Sequence, residues 1–285
     1  MALISVLIVL ALEHYLHWGA QYRSFNWFES LLEKLEEQFG ENKFWQGWGG
    51  IGLVLLLPIV FLWVFLSVFS EPLYSLILFI TSCAVLFLSI GPQSLTTSFK
   101  SYFEAMERGD EQAGYMALQQ ESKLNEILEA DDIVRNATRL ILVESQTRYF
   151  GVIFWFIFLG PLGALFYRLS HFYHSYCKEN ANDEHFSLTT SLLHWLDWAP
   201  VRVTSLLFLL TGDFVKGFYR VKDYFVDLDA NNQQIISETG VAALGIDIGM
   251  SDSNLQENRD AISMIERTVI IYIVVVAVLS PLSFW

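Results

Sequence analysis

The sequence predicts an all-α, multi-pass integral membrane protein, on three observations. Hydrophobic residues fill 53% of the 285 positions and charged residues only 17%, whereas soluble domains carry about 25% charged residues. Several uncharged apolar runs are long enough to cross a bilayer. In the remaining segments apolar side chains recur at helical spacing, and no stretch alternates as a strand would.

Four runs are predicted to be full transmembrane helices, at about 1–18, 51–69, 73–90 and 267–284. A helix rises about 1.5 Å per residue, so about 20 apolar residues cross a hydrocarbon core of about 30 Å. The N-terminal run is interpreted as a retained first helix. No Lys or Arg precedes it and no small-residue cleavage site follows, so it is a poor signal peptide.

Two further apolar stretches, 150–170 and 200–211, are predicted to be re-entrant or half-spanning. The first contains Gly160-Pro161-Leu162-Gly163, where a helical hairpin would break. The second would be only about 18 Å long as a helix, which is too short to cross. Irregular backbone at membrane depth must be buried in protein or line a wet cavity. We therefore expect the functional site of a single membrane domain in this region.

The polar segments 23–48, 94–148 and 212–265 are predicted to be amphipathic cytoplasmic helices. Phe28, Leu32 and Leu35, for example, share one helical face. Most Lys and Arg residues lie in these segments, and the positive-inside rule assigns them to the cytoplasm. We expect their apolar faces to pack on each other and on the membrane helices. The alternative is that the apolar faces form a partner-binding groove, and nothing in the pattern favours it.

Charge and motifs exclude several classes of function. The net charge of −14 argues against nucleic-acid binding and leaves the lipid bilayer as the expected partner. Gly212 and Gly217 have phosphate-loop spacing, but Phe218 stands where the lysine belongs, so no nucleotide cofactor is predicted. Cys83 and Cys177 are far apart, and no disulfide framework is implied.

Histidines and embedded charges are the remaining candidates. His171 and His174 could share a helix face and a metal, but their spacing fits no zinc signature, and we interpret the histidines as interfacial or exposed. Arg168 ends the predicted hairpin, and Asp197 and Arg202 flank Trp198-Ala199-Pro200. Ionisable groups at this depth pair with each other or face water. The two interpretations are a buried Asp197–Arg202 pair and a pocket for an anionic ligand anchored by Arg168 or Arg202.

Four collinear stretches resemble two related membrane families, AmpE and CobD/CbiB. They are Met106-Glu107-Arg108-Gly109-Asp110, Glu144-Ser145 followed by Phe154-Trp155 and Gly160–Arg168, Leu196–Arg202, and Ala242–Gly249. The first family is associated with regulation of inducible β-lactamase, and the second attaches the aminopropanol arm in cobalamin synthesis. The resemblance covers most of the chain.

The departures from the pattern favour the AmpE family. The cobalamin enzymes carry E-N-x-x-D after the E-S pair, where this chain has Arg148, Tyr149 and Val152. They carry Asn and Asp after Y-R, where this chain has His171 and His174. Exchanging a carboxylate for an arginine removes a cation ligand and adds a like charge. The resemblance therefore implies a relative without amide-forming catalysis.

The resulting hypothesis is a signalling or accessory protein that binds an anionic small molecule or a partner protein of cell-wall recycling. Glu144, Arg168, Asp197 and Arg202 are its candidate ligand-binding residues, with no catalytic residue, cofactor or metal assigned. A membrane enzyme using the remaining residues is the alternative. A transporter is disfavoured, because there are few full spans and no inverted hydropathy repeat.

Overall fold

The computed structural model describes residues 2–15, 25–40, 42–68, 74–91, 94–121, 132–180, 182–223, 225–246 and 254–279. Within these ranges every regular element is helical, which confirms the all-α prediction. The helices are α1 Ala2–Tyr15, α2 Asn26–Phe39, α3 Trp48–Val68, α4 Tyr74–Ser89, α5 Leu95–Ser98, α6 Lys100–Glu107, α7 Glu111–Glu121, α8 Ile133–Ser145, α9 Gly151–Glu179, α10 Asp183–Thr211, α11 Phe214–Val221, α12 Asn232–Ala243 and α13 Leu255–Leu279. A π-helical segment, Gln146–Phe150, joins α8 to α9.

Two helical stretches among the described residues are long and apolar enough to cross a membrane. They are Trp48–Val68 and the continuous run Ile133–Glu179. The predicted spans at 1–18 and 73–90 correspond to shorter apolar helices, Leu3–Leu12 and Ser75–Ser89. The predicted span 267–284 is the second half of α13, whose first half carries charges, and its last five residues lie outside the described ranges.

The predicted break in 150–170 is confirmed at Gly160, where φ is 67° and ψ is −154° inside α9. This backbone conformation is open to glycine and costly for other residues. The boundaries of the stretch differ from the prediction, because helical structure continues to Glu179 and is preceded by α8 and the π segment.

The prediction that 200–211 forms a separate short piece is wrong. These residues are the last part of α10, which runs without interruption from Asp183 through Pro200 to Thr211. A proline removes one helical hydrogen bond. Here the carbonyl of Leu196, left without that bond, accepts one from Trp155 Nε1 at 3.2 Å.

The residues form two compact units. The first contains residues up to 91, 152–196 and 276–279, and the second contains 94–151 and 197–275. The core of the first unit packs α2 and the start of α3 against the second half of α9. Its members include Phe28, Leu32, Val54, Leu169 and Tyr173. The apolar face predicted for α2 is thereby confirmed.

The second unit is built around α8, which is buried over most of its length. Tyr102 on α6 donates a hydrogen bond to Asn258 Oδ1 at 2.9 Å. The Asn258 amide donates in turn to the Val134 carbonyl and the Thr138 hydroxyl, each at 2.8 Å. This buried network ties α6, α8 and α13 together. On α11, Gly217 and Val221 are the buried residues, and Phe214 and Phe218 are 48% and 44% exposed.

Candidate functional site

A buried arginine in the second unit lies between two carboxylates. The Arg148 guanidinium donates from Nε to Glu144 Oε2 at 2.8 Å and from Nη2 to Glu121 Oε2 at 3.4 Å. Its Nη1 donates to the Ser98 hydroxyl at 2.6 Å. Arg148 is only 8% exposed. We call these four residues the arginine–carboxylate cluster.

The local structure explains why these groups meet. Glu144 and Arg148 are four residues apart, a spacing that places side chains on one helical face. Arg148 belongs to the π segment, and single π turns are frequent at functional sites. Ser98 ends α5 and Glu121 ends α7, so each helix terminus delivers one polar group to the buried arginine.

Burial of Glu121 opposes its ionisation. Removal from water raises the pKa of the Glu121 carboxyl, and the neighbouring Arg148 lowers it by a smaller amount. Glu144 acts in the same direction as burial, because two nearby carboxylates disfavour each other's charge. The guanidinium thus holds together two groups of like charge in a poorly solvated place.

Gln146 lies on the same π segment and is 2% exposed. Neither its carbonyl oxygen nor its amide nitrogen has a hydrogen-bond partner among the described residues. A buried side-chain amide usually has a partner in the protein or in ordered water. Gln146 therefore offers an unused donor and acceptor two residues from Arg148.

Arg202 is a structural clamp in the second unit. Its guanidinium donates to the backbone carbonyls of Trp198, Phe225 and Asp227 at 3.0, 3.0 and 2.7 Å. It also donates to Asn232 Oδ1 at 2.8 Å and lies 4.5 Å from the centroid of the Trp198 ring. These four bonds use most of the five N–H donors of an arginine. They fasten the loop between α11 and α12 onto α10.

The other two predicted ligand-binding residues are placed differently. Asp197 is half-buried at the start of the part of α10 that belongs to the second unit. Arg168, also half-buried, lies on α9 in the first unit. The Arg202 guanidinium bonds to Trp198 and to the loop after α11, and the expected Asp197–Arg202 pair stays a prediction. Glu144 is brought to Arg148, not to Arg202.

The histidines are held by neighbours in the first unit. His174 Nδ1 is 3.0 Å from the Thr189 hydroxyl and its ring stacks on Phe186, while the His171 ring lies 4.6 Å from that of Tyr167. His185 corrects the expectation of interfacial histidines, because it is 1% exposed. In the ranges that the structure covers, no three His, Cys, Asp or Glu residues are grouped as metal ligands.

Comparison with known families settles the resemblance. A family described as "Regulatory signalling modulator protein AmpE" matches residues 1–282. The chain belongs to the AmpE family.

This AmpE-family chain is also similar to two proteins named "Cobalamin biosynthesis protein CobD". The protein from Chromobacterium violaceum is 26% identical over 177 residues, which are 60% of this chain and 55% of the relative. The protein from Stutzerimonas stutzeri is 24% identical over 233 residues, 78% of this chain and 74% of the relative. The chain thus spans just over half the length of the first relative. No solved structure matches.

The structure gives a physical reason for three of the segments in the AmpE resemblance. The glycines with positive φ are Gly109, Gly160 and Gly245, at 74°, 67° and 74°, and each lies in a resemblance segment. Gly109 ends α6, and the adjacent Asp110 caps α7 by accepting from the Ala113 amide at 3.0 Å. Gly245 follows the end of α12. These segments therefore fix turns of the backbone.

Ser98 and Glu121 are two of the site residues that sequence reasoning missed, and Gln146 is another. Ser98 and Glu121 lie 50 and 27 positions from Arg148. Neither belongs to a resemblance segment or to a helical spacing shared with Arg148, so the sequence carries no signal for them. Only the packing of α5 and α7 against α8 and the π segment brings them to the guanidinium.

Proposed function

We propose that this AmpE-family chain is an inner-membrane signalling or accessory protein without amide-forming activity. It acts by binding an anionic small molecule or a partner protein in the control of β-lactamase induction and cell-wall stress. The description of the family as a regulatory signalling modulator supports the role. The observation that carries the loss of catalysis is the position of Arg148 between Glu144 and Glu121.

The guanidinium takes the place that a cation would need in this cluster. Carboxylate oxygens are the ligands that Mg²⁺ prefers, and an arginine cannot be deprotonated in a protein. A divalent ion bound to Glu144 would have to displace Arg148 from its 2.8 Å contact or lie beside its charge. One guanidinium already binds both carboxylates, so the cluster is suited to holding the helices and unsuited to activating a metal–nucleotide.

The residues that follow the family pattern, and those that depart from it, support the same proposal. Gly109, Gly160 and Gly245 lie in segments that follow the pattern, and each has the positive φ that a turn of the backbone requires. The positions where the resemblance implies carboxylates and an amide instead hold Arg148, Tyr149, Val152, His171 and His174. Val152 is fully buried and contributes only packing. A scaffold that keeps its turns and exchanges its ionisable groups is the pattern of a non-catalytic relative.

Ligand binding is supported by Gln146. Its buried amide has no partner among the described residues, and it lies on the π segment that carries Arg148. A hydrogen-bonding ligand or water there would remove the cost of burying an unsatisfied amide, which is about 1–3 kcal/mol. We assign the binding site to this segment, with Glu144 as the neighbouring charge that the sequence also predicts.

The topology we propose has four full spans, with the polar segments in the cytoplasm. It is supported by α3, whose second half exposes large apolar side chains such as Phe61, Trp63 and Val68. The exposed Ile4, Leu7 and Ile8 of α1 and Leu76 and Ile80 of α4 extend the same kind of surface. Cysteine accessibility from each side of the membrane would test the proposal.

The test of the non-catalytic role uses the purified full chain in detergent. We expect no turnover of ATP or GTP with a primary amine, and no binding of Mn²⁺ as a probe for Mg²⁺. Cells lacking the protein should recover normal β-lactamase induction with the wild-type chain but not with a folded Gln146→Leu variant. Turnover that Glu144→Ala abolishes and the exposed control Glu104→Ala preserves would contradict the proposal.

A membrane enzyme with CobD-like chemistry is the second candidate, favoured by the similarity to two proteins of that name. It would need Glu144 in a form free to bind a cation. Arg148→Glu tests this candidate. If a folded Arg148→Glu variant binds Mn²⁺ and the wild-type chain binds none, a cation site is present at Glu144 but is blocked by Arg148. Metal binding and turnover by the wild-type chain would favour the enzyme.

A further inference from the structure

The first unit contains an apolar groove with a volume of about 650 Å³ between α2, α3 and α4. Apolar side chains from all three helices form its walls, including Trp27, Leu31, Leu57, Phe61 and Leu88. Two polar side chains of α2 also line it, Ser30 and Lys34. These two are four residues apart and so lie on the same helical face. The groove belongs entirely to the first unit and is separate from the arginine–carboxylate cluster.

The groove changes from polar to apolar along its length. Along α2 the lining side chains begin with the apolar Trp27 and end with the charged Lys34 in the second half of the helix. The lining side chains of α3 are all apolar, and among them Phe61 is 74% exposed, as on a lipid-facing surface of a helix long enough to cross the membrane. A phospholipid combines the same two features, a polar headgroup and an apolar acyl chain.

The charges beside the groove select the kind of headgroup. Lys34 is preceded by Glu33 and followed three residues later by Glu37, and all three side chains are exposed. An anionic headgroup would meet one cation and two carboxylates. A headgroup with both a phosphate and a protonated amine would find a partner for each charge. A primary amine has N–H donors for the carboxylates, and a quaternary amine has none.

We propose that this groove is a binding site for a phospholipid with an ethanolamine headgroup. The phosphate binds the Lys34 ammonium and the Ser30 hydroxyl, and the headgroup ammonium binds Glu33 and Glu37. One acyl chain lies along Leu57 and Phe61 of α3. The site does not depend on the proposed signalling role, since none of its residues belongs to the cluster around Arg148.

Native mass spectrometry of the purified full chain tests the headgroup. The protein in detergent is offered phosphatidylethanolamine, phosphatidylcholine and phosphatidylglycerol with identical acyl chains. We expect the ethanolamine lipid to be retained best. Lys34→Gln should weaken its retention about tenfold, the effect of one charge-assisted contact. The control is Lys43→Gln, another exposed lysine near α2 that does not line the groove.

A second pair of variants tests the groove itself. Leu57→Trp fills it and should reduce retention of the ethanolamine lipid, while Leu56→Trp changes a neighbouring exposed residue outside it and should not. Preferential retention of phosphatidylglycerol, or equal losses in either variant and its control, would overturn the proposal. Equal retention of phosphatidylcholine would overturn the requirement for a primary amine.

Discussion

The indole of Trp155 supplies the hydrogen bond that Pro200 withholds from Leu196. Nε1 of Trp155 donates to the Leu196 carbonyl at 3.2 Å. That carbonyl lies four residues before Pro200 and would accept from the amide of residue 200 in a regular helix. Because proline has no N–H, the oxygen is left for a donor from α9. This contact allows α10 to continue through a residue that commonly kinks or ends a helix.

The first prediction concerns the coupling of these residues. Trp155→Phe should lower the free energy of unfolding by about 1 kcal/mol, in addition to any packing loss, because the Leu196 carbonyl loses its donor. In a Pro200→Ala background the backbone N–H of position 200 can donate to the Leu196 carbonyl. Trp155→Phe should then lower the free energy of unfolding by less. Thermal denaturation of the four proteins in detergent gives the double-mutant cycle. An identical cost in both backgrounds would show that the indole bond does not compensate for the proline.

The second prediction concerns the clamp formed by Arg202. Arg202→Lys keeps the charge but cannot make four directed bonds to Trp198, Phe225, Asp227 and Asn232. We expect a loss of about 1–3 kcal/mol and faster proteolysis of the loop between α11 and α12, because partly buried carbonyls lose their donors. Arg220→Lys is the control, since Arg220 is exposed and pairs with Glu238. Equal protease sensitivity of the two variants would contradict the clamp.

The third prediction concerns the arginine–carboxylate cluster. Arg148→Gln leaves Glu144 and Glu121 without their cation and should cost about 3–5 kcal/mol. Adding Glu144→Gln removes one of the stranded charges and should recover part of that loss. Chemical or thermal unfolding measures both, with the exposed Arg108→Gln as control. If the double variant is less stable than Arg148→Gln alone, Arg148 does not act by reducing the repulsion between Glu144 and Glu121.

The fourth prediction is a pH dependence that originates at Glu121. Burial raises the pKa of this carboxyl in the folded chain above its value in the unfolded chain. The folded state then binds the proton more tightly, so this group favours folding at low pH and the contribution is lost as pH rises through the folded pKa. Glu121→Gln stays neutral throughout. Its stability relative to wild type should therefore increase from about pH 4 to about pH 8.

Thermal unfolding across that pH range provides the measurement. Glu111→Gln, at the exposed start of the same helix, is the control for exchanging a glutamate of α7 for glutamine. A relative stability of Glu121→Gln that falls with rising pH would mean that the attraction to Arg148 outweighs burial.

The fifth prediction concerns the buried His185. Its Nε2 lies 2.6 Å from the Trp45 carbonyl, which can only accept, so Nε2 carries the proton and Nδ1 accepts from the Tyr173 hydroxyl at 2.5 Å. His185→Ala should cost about 2–4 kcal/mol, because two buried polar groups lose their partner. Tyr173→Phe should be costly in the wild type and nearly neutral in the His185→Ala background. Additive losses, or an equal loss for the control His194→Ala, would contradict this chain of bonds.

The helical class and several local features could be predicted because they depend on neighbouring residues. The apolar face of α2 follows from the spacing of Phe28, Leu32 and Leu35, and the break in α9 follows from Gly160 and Pro161. The extent of α10 could not be predicted in the same way. The residue that satisfies the Leu196 carbonyl lies 41 positions away, at Trp155.

The role of Arg202 shows the same limit. Its sequence neighbours suggested a partner at Asp197, but three of its four acceptors lie 23–30 residues further along, in the loop after α11 and at the start of α12. An arginine has five donors in a fixed fork, and Arg202 directs its donors to four oxygens that packing brings within reach. Which oxygens these are depends on how α10, α11 and α12 pack.

The sequence by itself determined that this chain is helical and apolar and that it breaks at Gly160. Composition, helical spacing and backbone freedom are local properties, and a sequence expresses them directly. Only the tertiary structure decided that Arg148 lies between Glu144 and Glu121, and that Trp155 completes α10. Buried polar groups must find partners wherever packing brings them, and that pairing is fixed by the fold as a whole.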